Sequence, residues 1–438
     1  MNRKRAIVPF AVAILAALVL VSVAWAQAAP AAGAAGQPPA AGRGAQGGRG
    51  GGGRGPALVS PEILPDRRVI FRIAAPQATS VTLNAADIQN FAPAAAPAGR
   101  GGAQFTKNDA GVWEATVGPV PPGAFRYVFQ VDGVRVLDPV NTGLSESNTN
   151  NWSLFYVPGL DFMDNSKDVP HGAVASVNYY STVLKTMRRM HVYTPPGYEL
   201  NGQKYPVFYL LHGAGDNDDC WTSVGRANFI MDNLIAAKKA KPMIVVMPAG
   251  HQPGTGGRGA APVPAAAPAP TVSPFTDEFM TDMLPYVEQH YRTIADRAHR
   301  AVAGLSMGGS QTLDIAFNHL DKFAYIGVFS SGTTLGGGRG AAGRGGAPAA
   351  APAAAAQPPR PDWEATHKAD LDNAALKKGT RLIWLSTGVD DGLITNSKAT
   401  VELLKKHGFN PVFKESPGAH WWLNWRNYLN EFAPQLFQ

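Results

Sequence analysis

A single cysteine, Cys220, is the whole thiol content of the 438 residues. A disulfide framework within the chain is therefore excluded, and no cysteine follows the N-terminal apolar run to carry a lipid. Cys220 itself is expected to be inert packing. Walker-type, dinucleotide-binding and His-Glu-x-x-His motifs are missing, so nothing in the chain points to a nucleotide, nicotinamide or zinc-protease chemistry. No cofactor and no metal are expected. Clustered basic charge is missing as well. Of 39 basic residues, Arg3, Lys4 and Arg5 stand in an N-terminal leader, and Arg43, Arg49, Arg54, Arg100, Arg258, Arg339, Arg344 and Arg360 stand in Gly/Ala/Pro tracts. The remaining body holds 28 basic against 32 acidic residues. The formal charge of +7 therefore marks no basic face, and nucleic acid is not expected as a partner.

What is present begins with an export pattern. Arg3, Lys4 and Arg5 precede an apolar run from Ala6 to Val23, and Ala24-Trp25-Ala26 is an A-x-A cleavage site. Residues 1–26 read as a signal peptide; an uncleaved anchor is the rival reading, because the run is long enough to span a bilayer. The protein is expected to be secreted or periplasmic, with no stable membrane association once the leader is removed. Residues 27–57 form an Ala/Gly/Pro/Arg linker that cannot bury enough apolar area to offset its ordering entropy. Similar tracts near 92–103, 252–271 and 335–360 read as expanded surface loops.

Two patterns divide the rest. From 58 to 159, short alternating segments are separated by turn residues. Arg68–Ile73, Ser80–Leu83, Val112–Val117 and Phe125–Val131 are the segments, with Asn108–Gly111, Pro121–Gly123 and Asp132-Gly133 between them. This predicts an all-β sandwich of about a hundred residues. Trp113, Phe125, Tyr127 and Phe129 suit stacking on sugar rings, but such alternation reads first as an inner face. From 160 to 438 the pattern changes to continuous apolar runs: Tyr205–Leu211, Met243–Met247, Ala301–Ala303 and Arg381–Leu385. These are strands buried on both faces, and helical spacing at 228–239 and 281–291 lies between them. Alternating strands and helices predict an α/β architecture with a mostly parallel sheet.

The chemistry centres on Gly304-Leu305-Ser306-Met307-Gly308, a G-x-S-x-G motif between a strand and a helix-like segment. That context is the nucleophile elbow of the α/β-hydrolase fold, with Ser306 as nucleophile. A serine hydroxyl needs a base, and this fold orders its triad as Ser, acid, His. His319, His367, His407 and His420 lie downstream. His420 alone stands in a loop, Pro417-Gly418-Ala419-His420, just after a predicted strand. The acid should follow the preceding strand, where Asp390 and Asp391 both qualify by spacing. Two N–H donors are needed for the oxyanion. The Met307 amide is one. The other is expected from Leu211-His212-Gly213-Ala214-Gly215, with Ala214 first and Gly213 next. His212 is read as holding this loop rather than acting as a base. Asp216, Asp218 and Asp219 lack the glycine and terminal glutamate of a calcium loop and read as a solvated loop.

Four segments carry a family resemblance: Tyr209–Gly213, His299–Gly309, Asp321–Gly327 and Gly418-Ala419-His420-Trp421. Together they resemble the esterase D / feruloyl and acetylxylan esterase family over about 171 to 438. The resemblance implies a G-x-x-D acid, here Gly388-Val389-Asp390-Asp391, which selects Asp391. Phe129–Gly133 and Val136–Pro139 resemble the immunoglobulin-like carbohydrate-binding module found ahead of some bacterial feruloyl esterases, so the sandwich is a candidate for glycan binding. The pairing implies a serine esterase acting on an acylated plant polysaccharide or oligosaccharide. Trp221 and Trp421 are candidates for contacting the aromatic acyl group or a sugar. The alternatives are an acyltransferase or siderophore esterase on the same scaffold, or a carbohydrate-binding protein with a dead esterase domain. The presence of Ser306, His420 and Asp391 argues against the last. Because every candidate catalytic group lies beyond Asp168, the sandwich is expected to be separable from chemistry on small soluble esters.

Overall fold

Alternating strands bury one face and continuous apolar strands bury two, and both kinds appear where those patterns run. The computed structural model describes residues 57–85, 87–88, 103–252, 272–333 and 362–438. The expected leader, linker and tracts lie outside the described residues, apart from residues 57, 103 and 252. Among the described residues, no helix is long and apolar enough to cross a membrane.

The described residues up to Val157 form two antiparallel sheets. One orders Glu62–Ile63, Val69–Ala74, Val112–Val117 and Thr106–Lys107. The other orders Val81–Asn84, Gly123–Val131, Asn151–Val157 and Leu144–Glu146, with Val134–Val136 paired to Gly123–Val131. Their inner faces share one core of Phe71, Ile73, Leu83, Phe125, Tyr127, Phe129 and Phe155. Phe71 meets Tyr127 edge-on at 4.9 Å and Phe155 at 5.5 Å. Phe125, Tyr127 and Phe129 are thus inside the sandwich and cannot stack on a sugar.

The second region is built on an eight-stranded sheet: β1 (Ala173–Ser181), β2 (Thr186–Thr194), β3 (Val207–Leu211), β4 (Ile244–Pro248), β5 (Arg300–Leu305), β6 (Tyr325–Phe329), β7 (Leu382–Gly388) and β8 (Val412–Ser416). The spatial order is β1-β2-β4-β3-β5-β6-β7-β8. β1 and β2 form an antiparallel hairpin, β2 joins β4 antiparallel, and the pairs from β4 to β8 are parallel. β3, β4 and β6 are buried at every position, as strands covered on both faces must be. Helices Ala227–Ala236 and Trp422–Phe432 belong to the core on one face of the sheet, and Met307–Asn318 to the core on the other. This is the α/β-hydrolase arrangement. All six parallel strands point their carboxyl ends to one edge, where loops can gather chemistry. Met190–Tyr193 of β2 and Pro411–Phe413 at β8 also read as strands from sequence, whereas β1 and β6 were not expected. β1 is an edge strand with mostly exposed residues and carries no apolar run.

The sandwich and the sheet region are joined by more than a linker. The outward residues Leu154 and Tyr156 of strand Asn151–Val157, with Leu160, Phe162 and Met163, pack into the core around helix Trp422–Phe432. Arg226 lies 3.7 Å over the Tyr156 ring. Arg426, 1% exposed, donates to the carbonyls of Ala124 at 2.9 Å and Val224 at 3.0 Å. Burial lowers the pKa of Arg426 to about 10. The acidic loop after β3 is not solvated as expected. Asp216 is 6% exposed and Asp218 3%. Asp216 pairs with Arg126 of the sandwich at 2.5 Å. Asp218 pairs with Arg189 at 2.7 Å and His191 at 2.9 Å. Carboxylates this deep stay ionised only with such partners.

A chain beginning at Asp168 would therefore expose apolar core and leave Arg426 without one of its two acceptors, contrary to the separability expected above. It should aggregate, or melt well below the intact chain, as size-exclusion chromatography and thermal circular dichroism will report. A second expectation concerns acid. Burial works to raise the Asp218 carboxyl, but the close contact with His191 and the bonds from Arg189 outweigh this and hold it at about 2, below the ordinary 3.8. A depressed carboxyl contributes stability that is present above the unfolded value and is lost as pH falls through the folded one. Denaturant titrations should find Asp218→Asn less stable than the parent near neutral pH, with the gap closing toward pH 2. A gap that stayed constant would mean that ionisation of Asp218 contributes nothing.

Candidate active site

Ser306 occupies the turn between β5 and helix Met307–Asn318. Its backbone is at φ 52°, ψ −115°, a left-handed conformation unfavourable for a serine. The surroundings enforce it. The Ser306 amide donates to the Phe329 carbonyl of β6 at 2.8 Å, and the Gly309 amide returns to the Ser306 carbonyl at 3.0 Å. The glycines allow the turn to close. A Cβ on Gly304 would lie 2.4 Å from the Gly308 backbone, and one on Gly308 would lie 2.5 Å from the His212 carbonyl oxygen. Met307 is the first residue of its helix, so its amide has no partner within the helix and sits at the positive end of the helix dipole.

The loop after β3 faces this turn. A Cβ on Gly213 would lie 2.6 Å from Leu305 Cδ1 and 3.5 Å from Ser306 Cβ. The loop backbone thus passes directly beside the serine, and Ala214 follows on the exposed side. His212 is buried and bonded at both nitrogens. The Gly250 amide donates to Nε2 at 2.7 Å, which leaves Nδ1–H to donate to the Gly213 carbonyl at 2.8 Å. Burial, aided by nearby His251, pushes the His212 pKa down to about 4. His212 is therefore a neutral tether between two loops, matching its reading from sequence, and has no free nitrogen with which to act as a base.

Asp391 and His420 come from the ends of β7 and β8. Gly388 and Gly418 bring them together: a Cβ on Gly388 would lie 2.1 Å from the Gly418 carbonyl oxygen. The amides of Val389 and Asp390 donate to the carbonyls of Ser416 and Gly418 at 2.8 and 3.0 Å. His420 Nδ1 then lies 2.9 and 3.1 Å from the two carboxylate oxygens of Asp391. Nδ1 donates, so Nε2 is left as the acceptor. Asp391 is 2% exposed, whereas Asp390 is exposed. Burial works to raise the Asp391 carboxyl, but the bond from His420 outweighs it and the pKa falls below 3.8. The Leu393 amide also donates to Asp391, at 2.9 Å.

Two groups here were not anticipated. Ser330, just past the end of β6, accepts from Trp425 Nε1 at 3.0 Å, and its nearby hydroxyl helps to lower the Asp391 pKa. The Trp425 ring stands edge-on to His420 at 5.0 Å. The signal for Ser330 was the apolar run Tyr325–Phe329 ending in Ser330-Ser331-Gly332, which is a strand end at the same edge. Trp425 gave no signal, because its partner is 95 residues away in sequence. Trp221 is a correction. It is 1% exposed, donates to the Leu211 carbonyl at 3.1 Å and meets Trp422 edge-on at 5.1 Å. It is core and cannot contact a substrate. Trp421 remains partly exposed beside His420. Cys220 is fully buried and burial raises its pKa well above the ordinary thiol value, so it is inert. Among the described residues no group of His, Cys, Asp and Glu has the arrangement of a metal site.

Comparison with known proteins gives a consistent picture. Residues 181–436 match the family model described as "Putative esterase". The chain is 30% identical over 387 residues to the endo-1,4-beta-xylanase/feruloyl esterase of Xylanibacter ruminicola, covering 84% of this chain and 44% of that protein. The alignment with the endo-1,4-beta-xylanase Y of Acetivibrio thermocellus has 27% identity and covers 58% of this chain and 22% of the relative. The chain thus spans less than half the length of these relatives. Among solved structures, the enterobactin esterase of Shigella flexneri superposes over 85% of this chain and 93% of its own, with a TM-score of 0.55 at 16% identity. That likeness concerns the fold. With its family model matched over more than half its length, the chain belongs to the esterase family.

Proposed function

We propose that the protein is an exported serine carboxylic-ester hydrolase that removes acyl groups, feruloyl or acetyl, from plant polysaccharide or oligosaccharide. The observation that carries this reading is the bond from His420 Nδ1 to buried Asp391, made at the same strand edge as the strained Ser306 turn. Ser306 Oγ attacks the ester carbonyl while His420 Nε2 takes its proton. The carbonyl oxygen becomes an oxyanion held by the Met307 and Ala214 amides. Collapse expels the sugar alcohol, which receives the proton from His420 and leaves an acyl-enzyme. Water, deprotonated by His420, then releases the acid and restores Ser306. Asp391 stays ionised throughout and balances the imidazolium. The acylated-carbohydrate part of the reading is supported by the feruloyl esterase name of the Xylanibacter relative. The leader pattern Arg3–Ala26 supports export.

The test is a screen of purified protein against feruloyl, acetyl and short-chain aryl esters, with release of the acid followed directly. Ser306→Ala should fold normally and lose several orders of magnitude in kcat, on the order of 10⁴ or more. A fluorophosphonate should label only the parent chain. Labelling of the alanine variant would place the nucleophile elsewhere. Asp391→Asn should lose on the order of 10³- to 10⁴-fold in kcat by presenting the wrong His420 tautomer. Asp390→Asn, altering an exposed group, should turn over near the parent rate; the reverse ranking would reassign the acid.

A further inference from the structure

Ala214 and Gly215, the segment that presents the second oxyanion donor, are exposed. Several of the polar contacts that fix its flanks come from the sandwich. The amide of Asn148 donates to the Gly215 carbonyl at 3.3 Å. The amide of Glu146 donates to Asp219 at 2.9 Å, and Asn217 Nδ2 donates to the Glu146 carboxylate at 3.1 Å. Ser145 and Ser223 share a hydroxyl bond of 2.7 Å. Arg126 supplies the charge in this set. Its guanidinium forks between Asp87 of its own domain, at 2.8 Å, and Asp216 at 2.5 Å, with only 14% of its side chain exposed. From the hydrolase region, His251 Nε2 donates to the Asp216 carbonyl at 3.1 Å. Asp216 in turn closes a turn with Gly213, its amide donating to the Gly213 carbonyl at 3.1 Å. Ala214 and Gly215 therefore form the crown of a turn whose far end is clamped by Arg126.

We propose that Arg126 is a positioning residue for ester hydrolysis: by gripping Asp216 from the sandwich it fixes the Gly213–Asp216 turn so that the Ala214 amide is aimed at the oxyanion. This rests on the reading of Ser306 as nucleophile and Ala214 as donor. The sandwich is then part of the esterase machinery rather than an appended module. Burial pushes the Asp216 carboxyl up against the pull of Arg126, so without that arginine the turn would carry a buried, uncompensated acid.

The test uses the full chain with Arg126→Met, Arg126→Lys, Asp216→Asn and the double variant Arg126→Met/Asp216→Asn. Arg72→Gln, which removes an ion-paired arginine from the other sheet of the sandwich, serves as a control expected to turn over at the parent rate. Kinetics on a soluble aryl ester, thermal melts and fluorophosphonate labelling are read together. Arg126→Met should lower kcat by about 10- to 100-fold with KM little changed, the signature of a misaimed transition-state donor. The double variant, with no buried charge left unpaired, should recover the melting temperature but not kcat. Recovery of both together would mean that Arg126 only stabilises the fold and would overturn the proposal. Arg126→Lys keeps the charge but cannot fork between two carboxylates. It should fold and still lose kcat, which keeps the test alive if the methionine variants do not fold. Parent kcat in Arg126→Lys would likewise overturn the proposal. Failure of the underlying reading looks different: it would appear as turnover by Ser306→Ala, or as no phosphonate label on Ser306 in the parent.

Discussion

Backbone has to touch backbone at the strand edge, and the site depends on that constraint. Gly304 meets Gly308, Gly308 meets the carbonyl of His212, Gly213 meets Leu305, and Gly388 meets the carbonyl of Gly418, each too closely for a Cβ. These contacts close the end of β3 on that of β5, and the end of β7 on that of β8, along one edge of the sheet. A methyl group on Gly304, Gly308 or Gly388 would meet backbone and push two segments apart by roughly an ångström, and displacements of that order can cost about a hundredfold in rate. The side chains that perform chemistry are few. The residues that bring them together are mostly those with no side chain at all.

Around this edge, electrostatics divide into two kinds of restraint. His212 ties the Gly213 carbonyl to the Gly250 amide as a neutral ring, its protonation suppressed by burial, so the tether does not change as pH moves through the neutral range. Asp216 and Asp218, a few residues along the same loop, are held by charge, one from the sandwich and one from β2. A buried ion pair contributes little net stability compared with apolar packing, but removing one partner is costly. Such pairs therefore act less as glue than as a penalty on any other loop position. That suits a segment whose place matters to a fraction of an ångström.

Much of this was legible in the sequence where the determinants are local. Ser306 sits in a five-residue motif whose strand and helix flanks could be read from apolar pattern. His420 was separated from His319, His367 and His407 by the loop it stands in. Asp390 and Asp391 could not be told apart by spacing, because adjacent residues share every local feature. Burial separates them: one carboxyl points inward to His420 and the other faces water. Trp221 misled because an aromatic near a catalytic loop looks the same in sequence whether it faces a ligand or the core. The acidic run 216–219 misled because its counter-charges are distant, Arg126 lying 90 residues before Asp216. Alternation identified the sandwich strands, yet it could not tell that Leu154 and Tyr156, on the nominally outer face, are interface residues.

That outer face changes what the word domain means here. A detachable module would present polar residues toward its neighbour and join it through a linker. This sandwich instead sends Leu154 and Tyr156 into the core beside helix Trp422–Phe432 and receives Arg426 from that helix at the Ala124 carbonyl. The same helix carries Trp425, which bonds Ser330 and stands edge-on to His420 at 5.0 Å. One helix thus packs against the sandwich with one part of its surface and against His420 with another. A displacement at the sandwich interface has a short path to His420 through Arg426 and Trp425, and a second to the Gly213–Asp216 turn through Arg126. At the sandwich end of each path an arginine is bonded in place, and moving it would leave an acceptor or a carboxylate unmet. The two regions are distinct as sheets and continuous as a mechanical unit.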